Sequence, residues 1–206
     1  MSPAMPIVSF HNVGLFAKEE FGVANLSFRL FGRERYRFVA DSPDRMKCVL
    51  QLLESKVRPD TGFIRKEEKL FCQSDRLLMG DRVIDKRTEE YLGLRSPQFQ
   101  FDGRKRSKHY FIDLLEAKHI LFYPVYKLKG ENRIKFTLLA LLFQGAGLLL
   151  ISDIIHRNLS ARHSGLLIEL IRKSHNTLCL FSCKGENVPN PDLLSLLESI
   201  QPIEIG

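Results

Sequence analysis

The sequence predicts an α/β fold organised around a parallel sheet, and three observations carry that expectation. From about residue 132 onward, helix-spaced and strand-like apolar stretches alternate in order. Residues 148–152 (LLLIS) form a short, almost wholly apolar run, as a strand covered on both faces requires. The chain has 206 residues, 44% of them hydrophobic, enough for one domain with a sizeable core.

Element by element, residues 7–16 (IVSFHNVGLF) alternate as a strand does, and 23–30 (VANLSFRL) form a second strand closed by a turn at Gly32. Arg35–Ala40 (RYRFVA) is a third strand, ending in a polar turn, DSPDR. Residues 46–56 (MKCVLQLLESK) have helical spacing, and Arg58-Pro59-Asp60-Thr61-Gly62 stops that helix and turns the chain. Residues 63–73 hold one or two short strands. Later come a helix over 132–143, the strand 148–152, a helix over 161–174, a strand over 177–182 and a final helix near 191–200. Pro191 suits the first turn of that helix, and Asn190 suits its cap.

Residues 86–127 differ in kind. They are charged, they contain the basic run Arg104-Lys105-Arg106-Ser107-Lys108-His109, and 110–121 (YFIDLLEAKHIL) read as an amphipathic helix. This stretch is expected to be a helical insertion, about 86–140, in a single domain spanning 1–206. Its basic run reads either as a solvated charged turn or as a patch for anionic lipid; nucleic acid is the less favoured partner.

The formal net charge is +7 and the pI is near 9.3, which suits anionic partners without choosing among them. The four cysteines, Cys48, Cys72, Cys179 and Cys183, form no CxxC pair, and no histidine spacing suggests zinc, so free thiols in a reducing compartment are expected. The first ten residues carry no charged leader pattern, and the apolar run 136–151 is interrupted at Gln144, Gly145 and Gly147. A cytoplasmic chain is expected, held at the inner face of a membrane only through partners.

The order of these segments resembles the nucleotide-binding subunits of ABC transporters. The resemblance covers nearly the whole chain. Residues 12–16 and 22–40 resemble that family's antiparallel β-sheet ahead of its phosphate loop, RPDTG its turn after the first helix, and 71–83 (FCQSDRLLMGDRV) its Q-loop. The resemblance implies a P-loop NTPase-like (RecA-like) α/β core with a short helical subdomain, and it implies a site for ATP and Mg²⁺.

The residues at that implied site depart from the family pattern. A phosphate loop needs G-x-x-x-x-G-K-[ST], so that backbone N–H groups, a lysine and a hydroxyl close around phosphates and metal. The aligned stretch 40–48 (ADSPDRMKC) holds no glycine, and it brings Asp41, Asp44 and Pro43 instead. It reads either as a plain strand-to-helix turn or as a nucleotide site carried by Arg45 and Lys47. Asp153 falls where the family's metal-organising acid stands, but Ile154 replaces the glutamate that polarises water and Cys183 the switch histidine. Leu128-Lys129-Gly130-Glu131-Asn132 stands in place of the signature LSGGE, and Ser160 in place of the D-loop acid. Gln73 matches the Q-loop glutamine, and Phe16 lies where an adenine-stacking aromatic is found, although a strand-end Phe is also ordinary core.

The resemblance therefore implies a degenerate ATPase-like subunit, with no catalytic residue assigned and with ATP and Mg²⁺ not expected as working cofactors. Its implied partners are a transmembrane permease-like subunit and a second ATPase-type subunit, or a second copy of itself. The alternatives are a divergent working ATPase using Lys47, Gln73 and Asp153, and a basic adaptor using Arg104, Lys105, Arg106, Lys108 and His109.

Overall fold

A computed structural model describes residues 5–16, 22–80, 84–143 and 145–205. The first four residues, Gln144 and the last three residues of the Q-loop-like stretch lie outside the described residues. Strands β1 (Pro6–Leu15), β2 (Val23–Phe31) and β3 (Arg35–Ala40) fall where the alternation predicts them. Helix α1 (Pro43–Leu53) starts three residues before the predicted 46, so Pro43, Asp44 and Arg45 belong to its first turn and not to a polar turn. Ser42 caps it by accepting from Arg45 N–H at 3.4 Å, and Pro43 and Asp44 are residues that a helix start favours.

β4 (Thr61–Lys66) and β5 (Cys72–Ser74) are the two short strands expected after the turn. Two short helices come next, α2 (Asp75–Met79) and α3 (Thr88–Tyr91). The basic run is not a turn. Its first four residues form the second strand of a hairpin, β6 (Gln98–Phe101) and β7 (Arg104–Ser107), joined by Asp102-Gly103, and Lys108 and His109 open the helix that follows. Both joining residues have positive φ, +55° and +68°, the backbone that a two-residue hairpin loop demands.

The helix predicted over 110–121 is also corrected. α4 (Lys108–Leu114) ends early, Glu116 takes a φ of +50°, and Ala117 N–H returns to Ile112 O at 2.8 Å. A single 3₁₀ turn, Lys118–Ile120, succeeds it. Then come α5 (Gly130–Phe143), β8 (Leu148–Ile151), α6 (Ala161–Lys173), β9 (Thr177–Cys183), α7 (Pro191–Glu198) and β10 (Pro202–Ile205). Asn190 caps α7, accepting from Leu193 N–H at 2.9 Å. β10 has no counterpart among the predicted elements. Its four residues are too few for a period, and Pro202 is tolerated because it opens an edge strand.

β1, β2 and β4 form an antiparallel sheet in the order β2-β1-β4. The other five core strands form an all-parallel sheet in the order β10-β3-β9-β8-β5. β8 is buried along its whole length, which explains its unbroken apolar sequence. Leu148 and Leu150 face α1 and the antiparallel sheet, while Leu149 and Ile151 face α5 and α6. Phe10, Phe28, Phe38 and Phe181 join the two sheets, with ring centroids 4.3, 5.2 and 4.9 Å apart along the chain of contacts. Phe10, Phe38 and Phe181 are buried, and fully burying such a ring is worth about 1.5–3 kcal/mol, which fixes one sheet on the other. No helix among the described residues is long and apolar enough to cross a membrane.

Candidate functional site

In open α/β sheets, ligands bind beyond the carboxyl ends of the strands, where adjacent strands send their connections in opposite directions. Here that point lies between β3, whose connection runs toward β5, and β9, whose connection crosses back to β10. The crevice is therefore built from the residues that come directly after Ala40 and Cys183.

After Ala40 only Asp41 and Ser42 separate β3 from α1. Lys184, the first residue after β9, bridges this crevice. Its backbone N–H donates to Ala40 O at 2.9 Å, and its Nζ lies 2.7 Å from Asp41 Oδ1 and 3.3 Å from Glu204 Oε2 of β10. Arg45 Nη1 approaches the other Asp41 oxygen at 3.2 Å. Lys184, with a smaller contribution from Arg45, holds the Asp41 carboxyl below the usual range, and Asp41 and Glu204 in turn hold the Lys184 ammonium above it. Arg45 is thus committed to Asp41, and Lys47 lies exposed on α1.

The turn after β8 is organised by a residue that no sequence motif singles out. Asp75, the first residue of α2, is fully buried. Its carboxylate accepts from Ser152 N–H at 2.9 and 3.0 Å, from Asp153 N–H at 2.9 Å and from Ile154 N–H at 2.8 Å. The Ser152 hydroxyl lies 3.2 Å from Asp75 Oδ1 and 3.0 Å from Asp153 Oδ1. Successive N–H groups of this kind form an anion-binding concavity, and the chain fills it with its own carboxylate. Burial pushes Asp75 up to about 6 against the opposing pull of the N–H donors. Asp153 is half-buried beside it, and Ile154 is wholly buried.

At the end of β9, Cys183 N–H donates to Glu186 Oε2 at 2.8 Å. Burial, with help from Glu186, pushes its thiol up to about 11, so at neutral pH it is neither a base nor a nucleophile. His156 Nε2 lies 3.3 Å from the same Glu186 oxygen. All four cysteines are free thiols, Cys48 and Cys179 buried and the other two half-buried. Among the described residues no cluster of three or more His, Cys, Asp or Glu could hold a metal ion.

The remaining predicted residues are dispersed. Gln73 is buried in β5, paired in register with Leu149. Phe16 is not core: it is 61% exposed, and its N–H is held by Asp60 Oδ2 at 2.7 Å. In the signature-like loop, Leu128 is buried, Lys129 is exposed, and Gly130 opens α5 with a φ of +54° that favours glycine. Glu131 pairs with Lys135 at 3.2 Å, and Asn132 with His119 at 2.9 Å. The loop lines an open cavity of about 420 Å³ together with Gly80 and Arg157.

The basic patch is divided. Arg104, Lys105 and His109 are exposed and Arg106 half-buried, but Lys108 is inside, donating to Leu92 O at 3.0 Å and Gly93 O at 2.9 Å. Lys108 is therefore removed from any anion-binding surface.

Three features bear on the fit to a triphosphate and its metal. The first turn of α1 is capped by Ser42, the crevice offers phosphate the Asp41 carboxylate, and the turn after β8 has its N–H donors occupied by Asp75. Among the described residues, these donors are already engaged within the chain. The glycine-free stretch 40–48 signals part of this in the sequence, whereas the roles of Asp75, two residues after Gln73, and of Lys184 are not signalled.

No family model and no characterised protein sequence matches the chain. Solved structures do. An inward-facing metal-chelate-type ABC transporter superposes with a TM-score of 0.63 at 15% identity, over 98% of this chain and 79% of its own. A bacterial Atm1-family ABC exporter with ATP bound gives 0.68 at 15% identity, over 99% of this chain but 38% of the exporter. An ABC transporter ATP-binding protein from Pyrococcus furiosus gives 0.60 at 12% identity, over 96% of each chain. The chain has the fold of ABC ATP-binding proteins, with its P-loop-like α/β core.

Proposed function

We propose that this chain, with its ABC ATP-binding fold, is a hydrolysis-deficient subunit. In this reading it acts as a structural or regulatory partner in a membrane-associated, transporter-type assembly. The observation that carries the reading is the Lys184 bridge from Asp41 to Glu204 across the mouths of β3, β9 and β10. It holds two carboxylates and their countercharge at the crevice where open α/β sheets bind ligands, which supports a site closed to nucleotide phosphates.

Phosphoryl transfer is mostly positioning and charge stabilisation. Ile154 can take no proton and orient no water, and Cys183 stays a neutral thiol. Removal of a single transition-state donor commonly costs about 2.7–4 kcal/mol of barrier, and several such groups are replaced here. What the chain retains is surface and architecture, which suits pairing with a second ATPase-type subunit or a second copy, docked on a transmembrane subunit.

Phosphate release by the purified chain with ATP and Mg²⁺ tests this. The expected result is a rate equal to the protein-free blank. Mg²⁺-dependent turnover abolished by Lys47→Ala would overturn it, in favour of a divergent working ATPase built on Lys47, Gln73 and Asp153.

A further inference from the structure

α2 is five residues long, too short to be stable by itself. It is gripped at both ends by buried charges from opposite sides. At its start, Asp75 reaches into the turn after β8 and takes the N–H groups of Ser152, Asp153 and Ile154. At its end, the buried guanidinium of Arg133 in α5 donates to Leu78 O and, at 2.7 Å, to Gly80 O. A further arm of the same guanidinium donates to Val125 O, at the far end of the helical region. Thr137, one turn on from Arg133, places its hydroxyl 3.2 Å from Met79 Sδ.

We propose that α2 is a strut that locks the helical region, residues 84–128 and the start of α5, to the carboxyl edge of the parallel sheet. Both grips are multidentate and desolvated. Releasing either one leaves a buried charge without its partners, which is far costlier than losing a surface contact. The two grips also communicate. α2 spans about 7.5 Å, so a shift at either end is carried to the other through the buried Leu78 between them. The sheet and the helical region are thereby held as one body. None of these contacts depends on whether the chain binds nucleotide.

Hydrogen exchange of the full chain tests it, with Asp75→Asn, Arg133→Lys and the double variant. Lysine keeps the charge but loses the planar fork. Each single variant is expected to speed amide exchange about tenfold or more in α2 and across 84–128, leaving β1, β2 and β4 unchanged. The double variant is expected to go no further than the larger single effect, because either change already frees the strut. The proposal is overturned if Asp75→Asn loosens only the turn after β8, Arg133→Lys only 125–133, and the effects multiply. If Asp75→Asn does not fold, Ser152→Ala removes one hydroxyl and keeps the N–H donors. Faster exchange across 84–128 in that variant supports the strut, and a change confined to the β8 turn overturns it.

Discussion

Two turns at the carboxyl edge of one sheet hold their carboxylates in opposite ways. After β3, Asp41, Arg45, Lys184 and Glu204 meet in the open, with side chains 33–57% exposed. After β8, one fully buried carboxylate is saturated by backbone N–H groups. Exposed ion pairs gain little in water and are screened by salt. A desolvated carboxylate on backbone donors cannot be exchanged for water. In the proposed reading the first turn therefore closes the crevice through charge and sterics while adding little stability, and the second is where the edge is fastened.

Removing the buried group should have the largest effect. Asp75→Ala leaves several N–H donors buried without acceptors, at about 1–3 kcal/mol each before relaxation. A loss of roughly 3–5 kcal/mol, read from urea unfolding, is expected. A loss below about 1 kcal/mol would put the fastening elsewhere.

Next comes its pH dependence. Asp75 titrates near 6 in the folded chain against an ordinary 3.8, so between those values the folded state holds the extra proton. The advantage of the protonated form is fully present below about pH 4 and is lost as pH rises through 6, while the N–H contacts of the carboxylate remain. The difference in stability between the parent and Asp75→Asn should move by roughly 3 kcal/mol over that range. A difference that is flat with pH would contradict the buried carboxylate. At the exposed turn, Ser42→Ala should cost about 1 kcal/mol, the usual worth of a helix cap, measured by thermal or urea unfolding. Lys184→Ala should shift the unfolding midpoint least, and added salt should erase that shift. A large, salt-insensitive loss would make the two turns alike.

The parts of the fold governed by period and by capping residues are legible in the sequence. β1, β3, β9 and α7 with its Asn190 cap are examples. Features set by tertiary partners are not. Phe16 looks like core by composition yet stands in solvent. Lys108 looks like surface yet lies inside, because the end of α3 and the turn after it offer two carbonyls. The Asp102-Gly103 signal for a hairpin is present but is outweighed by the charge around it. Of the candidate site, the departure of residues 40–48 from a glycine-rich phosphate loop can be read directly from Asp41, Pro43 and Met46. The pairings of Lys184 and Asp75 cannot, since these residues find partners 143 and 77 residues away in the chain.

Isothermal titration of the full chain with ATP and Mg²⁺ bears most directly on the closed crevice. The expected result is no saturable heat at ligand concentrations up to about 1 mM, a binding free energy weaker than about −4 kcal/mol. Stoichiometric, Mg²⁺-dependent binding in the micromolar range would contradict it.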